Sequence, residues 1–237
     1  MNWLAFDTST DVLAIAVSRG ERVWSHRSAG GAQASLDGLP TIRRLMGEAG
    51  LAWRDLNAIV MGRGPGAFTG LRTACAMAQG LAWGAGLAVL PIDTLLAVAE
   101  QARHAHAHEA GIDRVLAVND ARMGQVYVAA YEYRPDGWHT VAEPALLDPD
   151  AVQPPSAWQD QTFCLAGNAG LEHGARLLPQ CPHPRWEAWP DAQALLRLAP
   201  VAWQRGQAVP PEQALPLYVR DKVAQTTAER EQARVNA

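Results

Sequence analysis

Apolar positions come first in short runs and then at helical spacing. Trp3, Leu4, Ala5 and Phe6 form a run that ends at Asp7 and the polar turn Thr8-Ser9-Thr10. Residues 12–17 form a second run, Gly20 centres a turn, and Arg22-Val23-Trp24-Ser25 follows, so the pattern predicts a three-stranded meander. Leu36, Leu39, Ile42, Leu45, Met46 and Ala49 then recur with the period of a one-sided helix, which Gly50 ends as a C-terminal cap. Pro40 falls near its first turn, where proline is tolerated. A strand over 57–61, a small-residue helix over 70–84, a buried strand over 87–90 and a helix over 93–104 complete a βββαβαβα half.

The second half starts the same way. Leu116-Ala117-Val118-Asn119-Asp120 echoes Leu4-Ala5-Phe6-Asp7; a long strand over 125–133, a Pro-Asp-Gly turn and a strand over 138–142 follow. The repetition predicts a degenerate duplication, with subdomains over 1–106 and 107–220 and a polar, flexible tail over 221–237. Further on, Leu165-Ala166-Gly167-Asn168 predicts a buried strand before a bend, and 191–203 has the cap and periodicity of a helix. The proline-rich stretch around His183, Trp186 and Trp189 shows no readable period.

Composition changes this picture only by exclusion. With 49% apolar and 19% charged residues the chain is of ordinary globular type, and a net charge of −4 provides no basic field for binding nucleic acid unaided. Cys75, Cys164 and Cys181 are scattered without metal or redox spacing, which suits a reducing cytoplasm. Residues 74–92 are apolar enough to suggest a membrane span, but Gly84 and Gly86 break them, so they read as a core helix, turn and strand.

The densest candidate chemistry is Gly62-Arg63-Gly64-Pro65-Gly66-Ala67-Phe68-Thr69-Gly70. Such a loop receives an anion or presses closely on another backbone, and Thr69 is placed to cap the helix behind it. It lacks the acidic partner of a dinucleotide fingerprint and the Lys-Ser/Thr of a phosphate loop. Asp7, Thr8 and Ser9 sit where duplicated actin-like ATPases hold phosphate and magnesium; the alternative is a turn that satisfies its own backbone. Asp120 and Arg122 occupy the equivalent turn, available to a ligand or to each other. Asp7, Thr8, Ser9, Gly64, Gly66 and Asp120 make up a candidate vestigial nucleotide or phosphate site. His104, His106 and His108 lack the further ligands of a metal centre. The helix over 70–84 carries one ridge of Thr73, Met77, Gly80 and Gly84 and a second of Ala74, Ala78, Leu81 and Ala85, small enough for another helix to approach.

Together these residues resemble the TsaB (YeaZ) family, which takes part in making threonylcarbamoyladenosine on tRNA. The matching pieces are Ala5-Phe6-Asp7-Thr8-Ser9-Thr10, the loop from Gly62 to Arg72, Ala78-Gln79-Gly80-Leu81-Ala82, Asp120-Ala121-Arg122-Met123-Gly124-Gln125-Val126-Tyr127 and Pro216-Leu217-Tyr218-Val219-Arg220. The resemblance implies an α/β, actin-like, duplicated ribonuclease-H-like fold. It implies a non-catalytic subunit with neither metal nor cofactor, which binds and activates a TsaD-type catalytic paralogue, works with a TsaE-type ATPase, meets tRNA only through the complex and pairs with itself when alone. That paralogue's His-x-x-x-His helix has no counterpart here, where Ser35 and Leu39 stand instead. The expected partner face comprises Leu36, Leu39, Arg43, Thr73, Ala74, Met77 and Ala78, and 216–220 is expected to anchor the last segment onto the first half. The rival readings are an actin-fold ATPase or kinase using Asp7 and the glycine-rich turns, and a metallopeptidase.

Overall fold

The computed structural model describes residues 1–106, 113–179 and 181–220. The first half is β1 (Asn2–Asp7), β2 (Val12–Arg19), β3 (Arg22–Ala29), α1 (Ala32–Ala49), β4 (Ala58–Gly62), α2 (Phe68–Ala85), β5 (Ala88–Ile92) and α3 (Thr94–Ala105). The second is β6 (Arg114–Asp120), β7 (Val126–Arg134), β8 (Gly137–Leu147), β9 (Cys164–Gly167), α4 (Ala169–His173), β10 (Arg185–Glu187) and α5 (Ala192–Gln204). The sheets have orders β3-β2-β1-β4-β5 and β10-β9-β6-β7-β8, so read from opposite ends they are the same arrangement. In each, three antiparallel strands are followed by two parallel ones. The βββαβαβα order and the duplication are both present. The second half lacks a counterpart of α1; single 3₁₀ turns lie in its place.

Period-2 alternation in β1 places Leu4 and Phe6 on one face, against α1 and α2 together with Ile42, Leu45, Ala74 and Ala78. Trp3 and Ala5 point the other way, into a central layer built from α3 and α5. These helices are exchanged. α5 comes from the second half yet packs on β1, β2 and β4, whereas α3 comes from the first half and packs on β6, β7 and β9. Gln193 Nε2 donates to Ser25 Oγ on β3 at 3.0 Å, and buried Glu100 on α3 receives Arg197 Nε of α5 at 2.7 Å and Trp138 Nε1 of β8 at 2.9 Å. The far face of the second sheet carries its own cluster around Val118, Val128, Trp158 and Phe163.

Several local expectations need correction. α2 begins at Phe68 behind Ala67, and no side chain caps it, so Thr69 lies inside the first turn. The Ala67 N–H is held by the Ser9 carbonyl at 2.7 Å, which fixes the helix start two residues earlier. α1 also starts earlier than the apolar period, and Pro40 therefore stands inside it, on its exposed side. β3 and β8 outrun their apolar runs because both are edge strands with one wet side; the same position accommodates Pro144 in β8. Gly50 caps α1 at φ 64°, and Asp191 caps α5 by accepting the Gln193 N–H at 2.7 Å, as expected. Residues 74–92 form the end of α2, a left-handed Gly86 and β5; no helix among the described residues is long and apolar enough to cross a membrane. His108 and the tail over 221–237 lie outside the described residues.

Candidate functional site

The glycine-rich loop leaves β4 and folds against the turn after β1. A β-carbon on Gly62 would stand 1.8 Å from Asp7 Oδ2, on Gly66 2.5 Å from the Ser9 carbonyl oxygen, and on Gly70 1.9 Å from that of Thr8. The glycines are there because backbone and carboxylate already occupy their side-chain space. Of the two uses of such a loop, close approach to another backbone is the one observed at Gly66 and Gly70, while Gly62 presses on the Asp7 carboxylate. Asp7 is wholly inside: Oδ1 accepts the Ser9 N–H at 2.7 Å and the Ser9 hydroxyl, and Oδ2 accepts the Thr94 hydroxyl at 2.9 Å. Burial nevertheless pushes its carboxyl above the usual carboxylate value, because desolvation outweighs those bonds. Thr8 Oγ1 donates to the Gly70 carbonyl at 2.7 Å, and the Gly64 N–H donates to Thr94 Oγ1 at 3.1 Å. These polar groups are matched to one another.

Beyond this seam lies a cleft between the two halves with a cavity of about 340 Å³. Ser9, Thr10 and Gly66 form one wall, and Asn119, Asp120 and Asn168 the opposite one. Thus Ser9, Gly66 and Asp120 reach the cavity, whereas Asp7, Thr8 and Gly64 do not line it. Asp120 and Arg122 do pair, with Arg122 Nε 3.6 Å from Asp120 Oδ2, and Arg122 also crosses to Asp11 on the β1–β2 turn. That second partner raises the guanidinium pKa, first through the hydrogen bond and then through its charge. His173 Nε2 lies 3.1 Å from Asp120 Oδ1.

A C-terminal strap crosses the cleft. Val209 pairs with Val89 at the β5 edge, the Leu217 N–H donates to the Arg63 carbonyl at 2.7 Å, and Tyr218 lies 5.4 Å from the Phe68 ring. Arg220 then donates to the Ala121 carbonyl at 3.1 Å and to Gln125 Oε1 at 2.9 Å. The segment over 216–220 therefore anchors to the first half as expected and to the second as well.

The outer surface of α1 and α2 is the other feature of note. The helices touch where Ser35 Oγ lies 3.4 Å from Thr73 Oγ1 and where Gly38 leaves room for Met77. Leu36 and Leu39 on α1 and Trp83 on α2 are 67%, 44% and 67% exposed. Arg43, Gly80 and Gly84 are exposed on the same helices, and Thr73 and Met77 are half-buried at the seam. Ala74 and Ala78 correct the expectation: both are fully buried against β1 and β4, so no partner reaches them. An alanine-rich helix is apolar all round, and its period alone does not tell which ridge faces the sheet. Trp83 went unassigned in the sequence for the same reason. No group of three or more His, Cys, Asp and Glu side chains among the described residues is arranged to hold a metal.

Two copies of one mixed sheet, with exchanged helices between them and a cleft at the strand ends, define a duplicated actin-like α/β protein. A family model described as TsaD, tRNA N6-adenosine threonylcarbamoyltransferase, matches residues 33–172. The TsaB threonylcarbamoyladenosine biosynthesis protein of Escherichia coli K12 is 31% identical over 243 residues, spanning 94% of this chain and 96% of its own. YeaZ from Pseudomonas aeruginosa superposes with a TM-score of 0.82 at 35% identity, covering 92% of this chain and 99% of its own. A second Pseudomonas aeruginosa structure, described as an uncharacterized protein with similarity to peptidase YeaZ, gives 0.83 at 36% with the same coverage. The chain belongs to the TsaB (YeaZ) family of tRNA threonylcarbamoyladenosine biosynthesis proteins.

Proposed function

We propose that this chain is the non-catalytic subunit of a cytoplasmic threonylcarbamoyl transfer complex, and that it binds and activates a TsaD-type paralogue through the α1–α2 face. The observation that carries the reading is the exposure of Leu36 and Leu39 on α1 and of Trp83 on α2, two helices that touch at Ser35–Thr73 and at Gly38–Met77. Large exposed apolar groups rimmed by Arg43 and Arg44 are the anatomy of an interface core and its polar edge. The face comprises Leu36, Leu39, Arg43, Thr73 and Met77, with Trp83, Gly80 and Gly84 taking the place of Ala74 and Ala78. In the absence of the paralogue the same surface pairs two copies of this chain. A TsaE-type ATPase joins the assembly, and tRNA is met through the complex.

The non-catalytic part of the reading is supported by the seam at Asp7. Its carboxylate is matched to Ser9 and Thr94, and the side-chain space of Gly62, Gly66 and Gly70 is taken by the Asp7 carboxylate and by the Ser9 and Thr8 carbonyls. The test has two parts. Leu36→Glu combined with Leu39→Glu is expected to abolish the heterodimer on gel filtration while the chain stays folded; an intact heterodimer would falsify the interface. Threonylcarbamoyl transfer by the paralogue, with its adenylate and ATPase supplied, is expected only when this chain is added. Unchanged transfer without it sinks the activator role.

A further inference from the structure

Of the four edges of the two sheets, three are blunted and one is open. At the β5 edge Val89 pairs with Val209 of the C-terminal strap. β8 carries Pro144 and register shifts against β7, and β10 is only three residues long. β3 has none of these devices. Its eight residues, without proline or glycine, pair with β2 in one unbroken register, from Val12 opposite Ala29 to Arg19 opposite Arg22. Alternate N–H and C=O groups of β3 therefore point away from the sheet, and no strand among the described residues meets them. A long, regular edge of this kind is a template for an added strand.

An apolar groove lies beside that edge. Val23 on β3, Ser18 on β2 and Trp3 on β1 form one row across the sheet, on the face that α5 covers. The row borders a groove of about 500 Å³ whose apolar walls include Met1, Val23, Leu196 and Pro200. Met1 and Val23 are 55% and 45% exposed. A strand added to β3 sets one side chain directly beside Val23, over this groove.

Charge selects the occupant. β3 carries Arg22, His26 and Arg27 and no carboxylate, with Glu21 before it at the turn. Arg22 lies over the Trp24 ring at 5.0 Å, and Arg27, 3.6 Å from the Asp191 carboxylate, stays 47% exposed. A second copy pairing through the same edge would bring these cations together, so charge opposes it. An acidic strand meets the opposite condition. We propose that β3 receives an extended acidic segment of a partner protein as a sixth strand of the first sheet. An apolar side chain of that segment fills the groove at Val23. One carboxylate lies four residues away on the same face, opposite Arg27, and another lies next to the anchor on the other face, opposite Arg22. The α1–α2 surface takes no part, so this site stands or falls separately from the scaffold reading.

The probe is the fluorescein-labelled peptide Ser-Glu-Thr-Val-Thr-Leu-Glu-Ser, which has this spacing, titrated against the full chain. Fluorescence anisotropy is expected to show saturable binding below about 1 mM that weakens with salt. Hydrogen exchange is expected to slow at β3 amides when the peptide is present. A peptide with lysine at both glutamate positions is expected to bind about tenfold more weakly or worse. Val23→Glu is expected to cause a similar loss with a cooperative melt retained, and Arg22→Glu with Arg27→Glu to reverse the preference between the two peptides. Absence of saturable binding at millimolar peptide overturns the proposal. So do equal affinities for the two peptides, an affinity unchanged by Val23→Glu, or new protection confined to other elements. A dimer of the free chain that Val23→Glu dissociates would assign the edge to a second copy and overturn it as well.

Discussion

A β-carbon at position 70 would lie 1.9 Å from the Thr8 carbonyl oxygen, a backbone atom that cannot move aside alone. Gly70→Ala is therefore expected to cost at least about 2 kcal/mol, read as a lower urea midpoint with an unchanged slope. A melt like that of wild type would mean the seam is looser than described. Ala74→Arg places a charge in the wholly buried layer under β1 and is expected to leave no folded chain by circular dichroism. Asp7 gives a pH signature. Its raised folded pKa means the native state holds a proton to higher pH than the unfolded chain, whose ordinary value is 3.8. Its contribution to stability is thus greatest below that value and is lost as pH rises through the raised one. In urea melts from about pH 4 upward, Asp7→Asn is expected to remove this part of the fall in stability. An equally steep fall in the variant would assign the burden to another group. None of these directions was open to periodicity alone. A polar turn after an apolar strand reads the same whether its carboxylate faces solvent or a glycine.

At the scale of elements, the strap is a length of chain with a single 3₁₀ turn, Pro211–Gln213, that does the work of a strand and a clasp. It holds to α2 by Cys75 Sγ and Gln79 Nε2, both on the Ala214 carbonyl at 2.9 and 3.3 Å, and to the loop by the Leu217 N–H. Leu217→Pro removes that donor and is expected to cost on the order of 1–3 kcal/mol. Hydrogen exchange would show the effect as lost protection at the Arg63 loop; unchanged protection would make the strap ornamental. Helices and strands with strong periods were legible: β1, β2, α1, the α2–β5 passage and α5 with its Asp191 cap all follow from spacing. β10 was not. It has three residues flanked by prolines, too few for a period, and it exists because parallel pairing with β9 and the stacking of Trp186 on His106 at 4.0 Å hold it. The direction of α2 was also illegible, since alanine on both ridges gives no contrast between core and surface.

At the scale of the whole molecule, the duplication was legible because the two opening strands repeat a pattern, Leu4-Ala5-Phe6-Asp7 against Leu116-Ala117-Val118-Asn119-Asp120. What spacing does not contain is which sheet a helix covers. The exchange of α3 and α5 is set by tertiary packing, and it makes one shared core out of two similar halves. A fragment of residues 1–106 is accordingly expected to be molten, with dye-binding apolar surface and no cooperative melt. Supplying residues 107–237 in trans is expected to restore cooperativity. A fragment that melts cooperatively by itself would show that α5 is dispensable to the first sheet.

The same exchange has a consequence for the chain as it leaves the ribosome. The inner face of the first sheet is complete once β5 has emerged, but its cover, α5, begins roughly a hundred residues later. At ordinary elongation rates that interval lasts about 5–20 s, during which Trp3, Ala5 and Val60 face outward on a nascent sheet. The protein's most vulnerable moment is thus written into its topology, and α5, the last α-helix among the described residues, is the one that ends it.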